Sequence, residues 1–199
     1  MNADTLVGLP ATGIRKYNAA RNFPLGSSGW RLGTGPQDKS LFVKGFVLDS
    51  IKERKAFAQQ GNVPQEWLDM AGWKDTSASL PPDAFWRTLV ADRGHDGGNP
   101  PMYWQLACNQ AYAQRPTDDD LNTEKLMTIN NRPKAIAEKV VVEYLLRVQA
   151  VVWMRRLVVT AERNTLGLVP ARAKKKDLIC ILAGLGPQRP CCPTESGSR

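Results

Sequence analysis

Residues 135–154 form the most apolar stretch of the chain, and Glu138, Lys139, Glu143 and Arg147 interrupt it. A membrane-spanning helix needs about 18 consecutive, nearly uncharged apolar residues. This stretch does not qualify and reads instead as a buried helix of a globular core. Arg132-Pro133 supplies a start, since proline fits the first turn of a helix. The spacing predicts the longest helix of the chain, from there to about Trp153. Its charges fall on a narrow stripe, so most of its circumference is expected to be buried.

A helix buried to that degree needs apolar neighbours. Pro81-Pro82-Asp83 opens a second helix with Asp83 as N-cap, and Phe85, Trp86, Leu89 and Val90 make its apolar face. It should end near Arg93-Gly94. The two faces together predict one contiguous core containing Phe85, Trp86, Leu89, Val140, Val141, Tyr144, Leu145 and Val148. Further helices are expected over 64–73, 103–114 and 118–130, the last with Asp118-Asp119-Asp120 at its positive end. A short helix over 53–60 should stop at Gly61-Asn62. Trp67, Trp73, Trp86, Trp104 and Trp153 lie within helical patterns and are assigned to the core rather than to a base-stacking platform.

The pattern then changes. Residues 156–160, 165–170 and 177–182 are short, apolar and separated by turn residues, which predicts strands. Short sequential strands usually pair, so 157–160, 166–169 and 178–182 should share one small sheet, joined by 41–48. The strand over 41–51 carries Gly45 as a candidate bulge. Helices followed by strands give an α+β class: a helical core, then a small antiparallel or mixed sheet. Residues 1–38 read as a loop-rich segment, 39–184 as a single α+β domain, and 185–199 as a disordered tail without apolar periodicity.

Charge narrows the partners. The chain has 27 Lys and Arg against 19 Asp and Glu, a net of +8. Residues 147–199 hold ten of those cations and three acids, so nearly the whole excess lies there. Arg172, Lys174, Lys175 and Lys176 form the candidate anion contact; a solvated turn between strands is the preferred reading and phosphate contact the alternative. No catalytic, cofactor or metal residue is assigned. His95, the single histidine, sits in a loop beside Asp96 with no nucleophile motif near it. Strand 177–182 with Gly184 and Gly186 imitates a dinucleotide turn, but Arg189 stands where the third glycine belongs. Cys108, Cys180, Cys191 and Cys192 lack the spacing of a zinc site or disulfide framework and read as reduced thiols of a cytoplasmic chain, with the nucleus as the alternative.

Several segments, in order, resemble the C-terminal part of fungal heterokaryon-incompatibility (HET) domain proteins. Lys16-Tyr17-Asn18-Ala19-Ala20 is similar to the family's "YNAS" element, and residues 41–51 to its "L.v.G...D.I" strand. Residues 85–93 resemble its "FWRTL..D" helix. Residues 155–160, 166–170 and 177–182 match "RRlf.T..g..GlgP....GD.icvl.G", with Lys176 where the family usually has glycine. The resemblance spans about 15–184. In the family the HET domain lies upstream of this region, and a "P.vLR" segment follows it where this chain reads Leu185-Gly186-Pro187-Gln188-Arg189. The resemblance therefore implies a truncated, non-catalytic accessory region in allorecognition and regulated cell death, with a protein partner. A basic nucleic-acid-associated module is the alternative that the charge alone supports.

Overall fold

The computed structural model describes residues 30–32, 41–116, 119–130 and 136–182. The expected disordered tail, Cys191 and Cys192, the Gly184–Gly186 turn and the Arg132-Pro133 helix start lie outside these residues. So does the loop-rich N-terminal segment, apart from Trp30–Leu32. The class is α+β, as the order of patterns predicts. The described residues divide between two compact units: 30–32, 41–46 and 180–182 in one, Val47–Ile179 in the other.

In the larger unit the helices are α1 (Glu66–Ala71), α2 (Asp83–Leu89), α3 (Trp104–Ala113), α4 (Thr123–Asn130) and α5 (Ile136–Val152). Phe85, Trp86 and Leu89 of α2 and Val141, Tyr144, Leu145 and Val148 of α5 belong to one buried cluster, and Val140 packs against it. The core expected from the two apolar faces is the core observed. Aromatic edges interlock it: Trp73 meets Tyr112 edge-on with ring centres 5.1 Å apart, and Trp104 meets Tyr144 at 5.9 Å.

Several helix expectations need correction. α2 stops at Leu89, four residues before Arg93, because Ala91 and Asp92 take left-handed φ values of 55° and 51°. The Asp92 carboxylate holds that turn by accepting from Arg87 Nη1 at 2.8 Å. Asp83 is the first helical residue rather than the cap, and its Oδ1 accepts the Trp86 indole N–H at 2.9 Å. α4 begins at Thr123, after the acidic run. Asn122 caps it, its Oδ1 accepting the Lys125 N–H at 2.8 Å, while Asp120 accepts the Gln65 N–H at 2.8 Å.

α5 is buried on one face only. Trp153 departs from the core assignment and is 52% exposed. It follows the last helical residue, and the chain leaves the helix through Met154 at a φ of 52°. The indole lies outside, on the side of Leu146 and Ala150, while Val152 turns inward.

The main sheet runs β5 (Leu166–Pro170), β4 (Arg155–Thr160), β3 (Gly45–Phe57), β6 (Leu178–Leu182) in spatial order. Thirteen-residue β3 replaces the helix expected over 53–60. Residues 52–57 favour helix intrinsically, but β4 offers a ladder: Arg54 pairs Val158 and Phe57 pairs Arg156, antiparallel. Pairing and burial override propensity here. β4 and β5 pair as sequential strands should, with Leu157 opposite Leu168. β6 is not the neighbour of β5. It lies beside β3, and the turn before it bonds across: Ile51 N–H donates to the Asp177 carbonyl at 3.0 Å and Lys176 N–H to the Ile51 carbonyl at 2.8 Å.

In the smaller unit β1 (Trp30–Leu32) and β2 (Leu41–Val43) form a two-stranded antiparallel pair, so the strand expected over 41–51 is interrupted at Lys44. Gly45 opens β3 against β6. A Cβ at this position would lie 2.6 Å from the Ile181 carbonyl oxygen, which explains the glycine better than a bulge does.

Candidate functional site

Asp49 is a carboxylate in an otherwise apolar stretch of β3, and it is 3% exposed. Its Oδ1 accepts backbone N–H groups from Ser50 at 2.7 Å and Glu162 at 3.0 Å, and its Oδ2 accepts Arg163 N–H at 3.0 Å. Burial pushes the carboxyl pKa up. The N–H groups of Glu162, Arg163 and Ser50 and the Thr160 hydroxyl outweigh it and hold the group well below the usual carboxylate range. A carboxylate so saturated with donors is a poor general base. Its role is to fix the turn between β4 and β5 onto β3, where Thr160 and Thr165 hydroxyls also meet at 3.0 Å.

A pH dependence follows. The folded value lies below the ordinary 3.8, so the ionised group favours the fold at every pH above 3.8. That contribution declines as pH falls from 3.8 towards the folded value. Asp49→Asn should lower the urea midpoint at neutral pH, and the gap to wild type should start to narrow only below about pH 4 and shrink further as the solution becomes more acid. A gap that stays constant into acid would contradict this account of Asp49.

Other motif residues also anchor the sheet. Arg156 Nε donates to the Ala171 carbonyl at 2.6 Å and Nη1 to the Lys55 carbonyl at 2.8 Å, and its guanidinium lies 5.3 Å from the Phe57 ring centre. Asp177 Oδ2 accepts the Lys174 N–H at 2.9 Å. On α2, Arg87 stacks 4.5 Å from the Trp86 ring centre between the Asp83 and Asp92 carboxylates. Arg156 and Asp177 hold backbone groups of the sheet, whereas Arg87 holds the Asp83 and Asp92 carboxylates and lines, with Asp92, a pocket that the other two do not reach.

Arg172, Lys174, Lys175 and Lys176 are all exposed on the turn between β5 and β6, and Lys176 takes a φ of 70°. None of the four has an ion-pair partner among the described residues. The structure therefore presents four cations to solvent within five positions. His95 is exposed and packs edge-on against Trp104, with Nε2 3.1 Å from the Glu143 carbonyl oxygen. Asp96 beside it accepts the Gly98 N–H at 2.9 Å.

Cys108 is buried, Cys180 exposed, and both are free thiols. Burial pushes the Cys108 thiol up to about 12. Thiolate is the reactive form, so Cys108 should resist iodoacetamide in the native chain at pH 8 while Cys180 reacts. Peptide mapping after labelling, with and without denaturant, checks this. Native labelling of Cys108 at the rate of Cys180 would show that the α3 interior opens readily.

An open groove of about 670 Å3 is lined by Asn62, Arg115, Asp120, Asn122 and Lys125 among others. It mixes both signs of charge without converging them on a point. Among the described residues no group of His, Cys, Asp or Glu could hold a metal ion, and no helix is long and apolar enough to cross a membrane. The structural centre at Asp49 was visible in the sequence as the lone acid of the run 41–51 and as the acid of the motif that this run resembles. That is a signal for a satisfied buried carboxylate, but it does not name the donors 113 residues away. In comparisons with known proteins, no family model, no curated protein and no solved structure matches this chain.

Proposed function

We propose that this chain is a non-catalytic interaction region of a heterokaryon-incompatibility type protein, acting in allorecognition and regulated cell death in the cytoplasm. The observation that supports it is the interdependence of the segments carrying the resemblance. Asp49 of one segment accepts hydrogen bonds from residues that follow Thr160 of another, and Ile51 bonds the backbone at Asp177 of a third. Motif positions that are far apart in sequence thus serve one sheet. Trp86, Arg87 and Asp92 of a fourth segment serve one helix end. These motif positions are accounted for by folding, which leaves the surface free to carry the function. Sequencing the full transcript tests the reading. A HET domain encoded upstream in the same frame is expected, and a complete transcript without one would overturn it.

The four exposed cations on the β5–β6 turn favour a second reading, a basic module that binds nucleic acid. Lys176 N–H bonds to Ile51, which brings this turn beside the exposed Lys52. Four phosphate contacts would give a slope of about −3 to −4 in log K against log salt on duplex DNA. Under the first reading, retention on DNA is weak, and replacing Lys174, Lys175 and Lys176 with Gln leaves partner binding unchanged. A slope near −4 that these replacements abolish would assign the turn to nucleic acid.

A further inference from the structure

The outer edge of β5 is a run of unpartnered backbone. Thr160 N–H donates to the Thr165 carbonyl and Ala171 N–H to the Met154 carbonyl, both at 3.0 Å. These bonds fix the phase of the β4–β5 ladder, because bonded pairs recur at every second residue. Gly167 and Val169 turn their backbone groups to β4, while Leu166, Leu168 and Pro170 turn theirs away from it. β5 ends the sheet on this side, and among the described residues nothing bonds those outward groups. Pro170 agrees with this phase, since proline is tolerated where a strand's N–H would face away from the sheet.

Edge strands are ordinarily guarded by a charge or a bulge. β5 carries no charged residue, and its register with β4 runs without a shift from Leu166 to Pro170. Leu166 and Leu168 lie on the face that packs on the core, and α2 lies against β5. A strand laid along this edge would meet apolar side chains on that face. Charge is one-sided. Arg155, paired with Pro170, and exposed Arg172 just beyond it make no ion pair among the described residues. At the other end exposed Glu162 and Arg163 offset each other. The lysines after Arg172 lead away from the edge, since Lys176 N–H bonds to Ile51 of β3.

We propose that the edge of β5 takes up an extended segment of a partner protein as a further, antiparallel strand, with acidic residues at its start beside Arg155 and Arg172. Leu166 and Leu168 each exchange N–H and carbonyl bonds with one residue of that segment. The carboxylates supply the counter-charge that the two guanidinium groups lack. The proposal rests on the reading of the chain as an interaction region and not on the family named for it. A second copy of β5 is the rival occupant. It offers the same backbone groups but brings no carboxylate within its strand.

Fluorescence anisotropy on the full chain tests the proposal, with fluorescein-labelled Glu-Glu-Val-Thr-Val-Thr-Val as the probe. When its Val side chains join Leu166 and Leu168 on one face, the Val N–H groups point at β5 and the Thr N–H groups away. N-methylating the Val residues should weaken binding at least about tenfold, and N-methylating the Thr residues should leave it unchanged. Replacing Arg155 and Arg172 with Gln should weaken it roughly threefold to tenfold, and a Gln-Gln form of the probe should be indifferent to that replacement. Amide exchange read by NMR reports the register without any variant. Leu166 and Leu168 N–H should exchange fast in the free chain and Gly167 and Val169 slowly, and saturating probe should protect the first two. Equal losses from the two methylated probes, or an exchange pattern that the probe leaves unchanged, would overturn the proposal. Absence of binding would do the same and leave the transcript test of the family reading untouched. A dimer of the free chain in which Leu166 and Leu168 are already protected would also overturn it, and would assign the edge to a second copy.

Discussion

Trp86→Ala is expected to remove about 3–5 kcal/mol of stability, the range for truncating a fully buried aromatic. Small domains hold about 5–15 kcal/mol in total, so the variant should be close to unfolded at moderate temperature. The magnitude follows from position. Trp86 is wholly buried in the cluster that joins α2 to α5, and its indole N–H satisfies Asp83. Truncation leaves a cavity that neighbouring ring systems cannot fill by small shifts. Trp153→Ala is the matched comparison, because Trp153 is exposed and absent from that cluster. It should change stability by no more than about 0.5 kcal/mol. Urea unfolding followed by far-ultraviolet circular dichroism measures both. Equal losses in the two variants would mean that the core is not where the structure places it.

Gly61→Val should be the second severe lesion, at about 2–5 kcal/mol from left-handed backbone strain together with overpacking. Gly61 has a φ of +78°, and a Cβ there would lie 2.4 Å from Gln149 Cγ and 3.0 Å from Gln149 Cα. The side chain of Gln149 can swing away, but its Cα belongs to α5 and moves only with the helix. Gly72, at the end of α1, provides the control. Its φ of +73° is nearly the same, yet nothing lies within 4 Å of an added Cβ. Gly72→Val should therefore show the backbone cost alone. The difference between the two variants reports the contact between the Gly61 turn and α5. If both lose the same amount in urea unfolding, that contact carries no weight.

Periodicity made the helical core legible. The faces of 85–90 and 140–148 repeat at helical spacing, and burial followed them residue by residue because packing depends on the same geometry. Residues 52–57 were misleading for a physical reason. Lys, Glu, Arg and Ala favour a helix locally, while the ladder that makes them a strand is offered by β4, about a hundred residues later. The neighbour of β6 was hidden for the same cause. Local turns specify that β4 and β5 pair, but only the long-range bonds between Ile51 and the Lys176-Asp177 turn bring β6 to β3. Trp153 shows the limit of pattern at a helix end. It ends an apolar run, which suggested burial, but it stands seven residues after Leu146 and three after Ala150, so helical spacing itself puts it on the exposed side of α5.

The same division applies to the candidate site. The four cations of the β5–β6 turn could be read directly, since exposed charge at a turn needs no tertiary partner. The Asp49 network could not, because a carboxylate's donors are supplied by whichever loop the fold brings to it. Without those contacts Asp49 would look like a candidate acid or base. With them it is a structural anchor, and the functional weight moves to the surface.

The central claim, that this chain acts through binding in a cell-death pathway, is tested most directly by viability in a filamentous fungus. The chain would be co-expressed with a heterokaryon-incompatibility protein lacking its own C-terminal region, under conditions that trigger the death response. The fraction of dead cells should change when the folded chain is present, and Trp86→Ala, which removes the fold, should abolish the change. Identical viability with and without a folded, equally expressed chain would contradict the account.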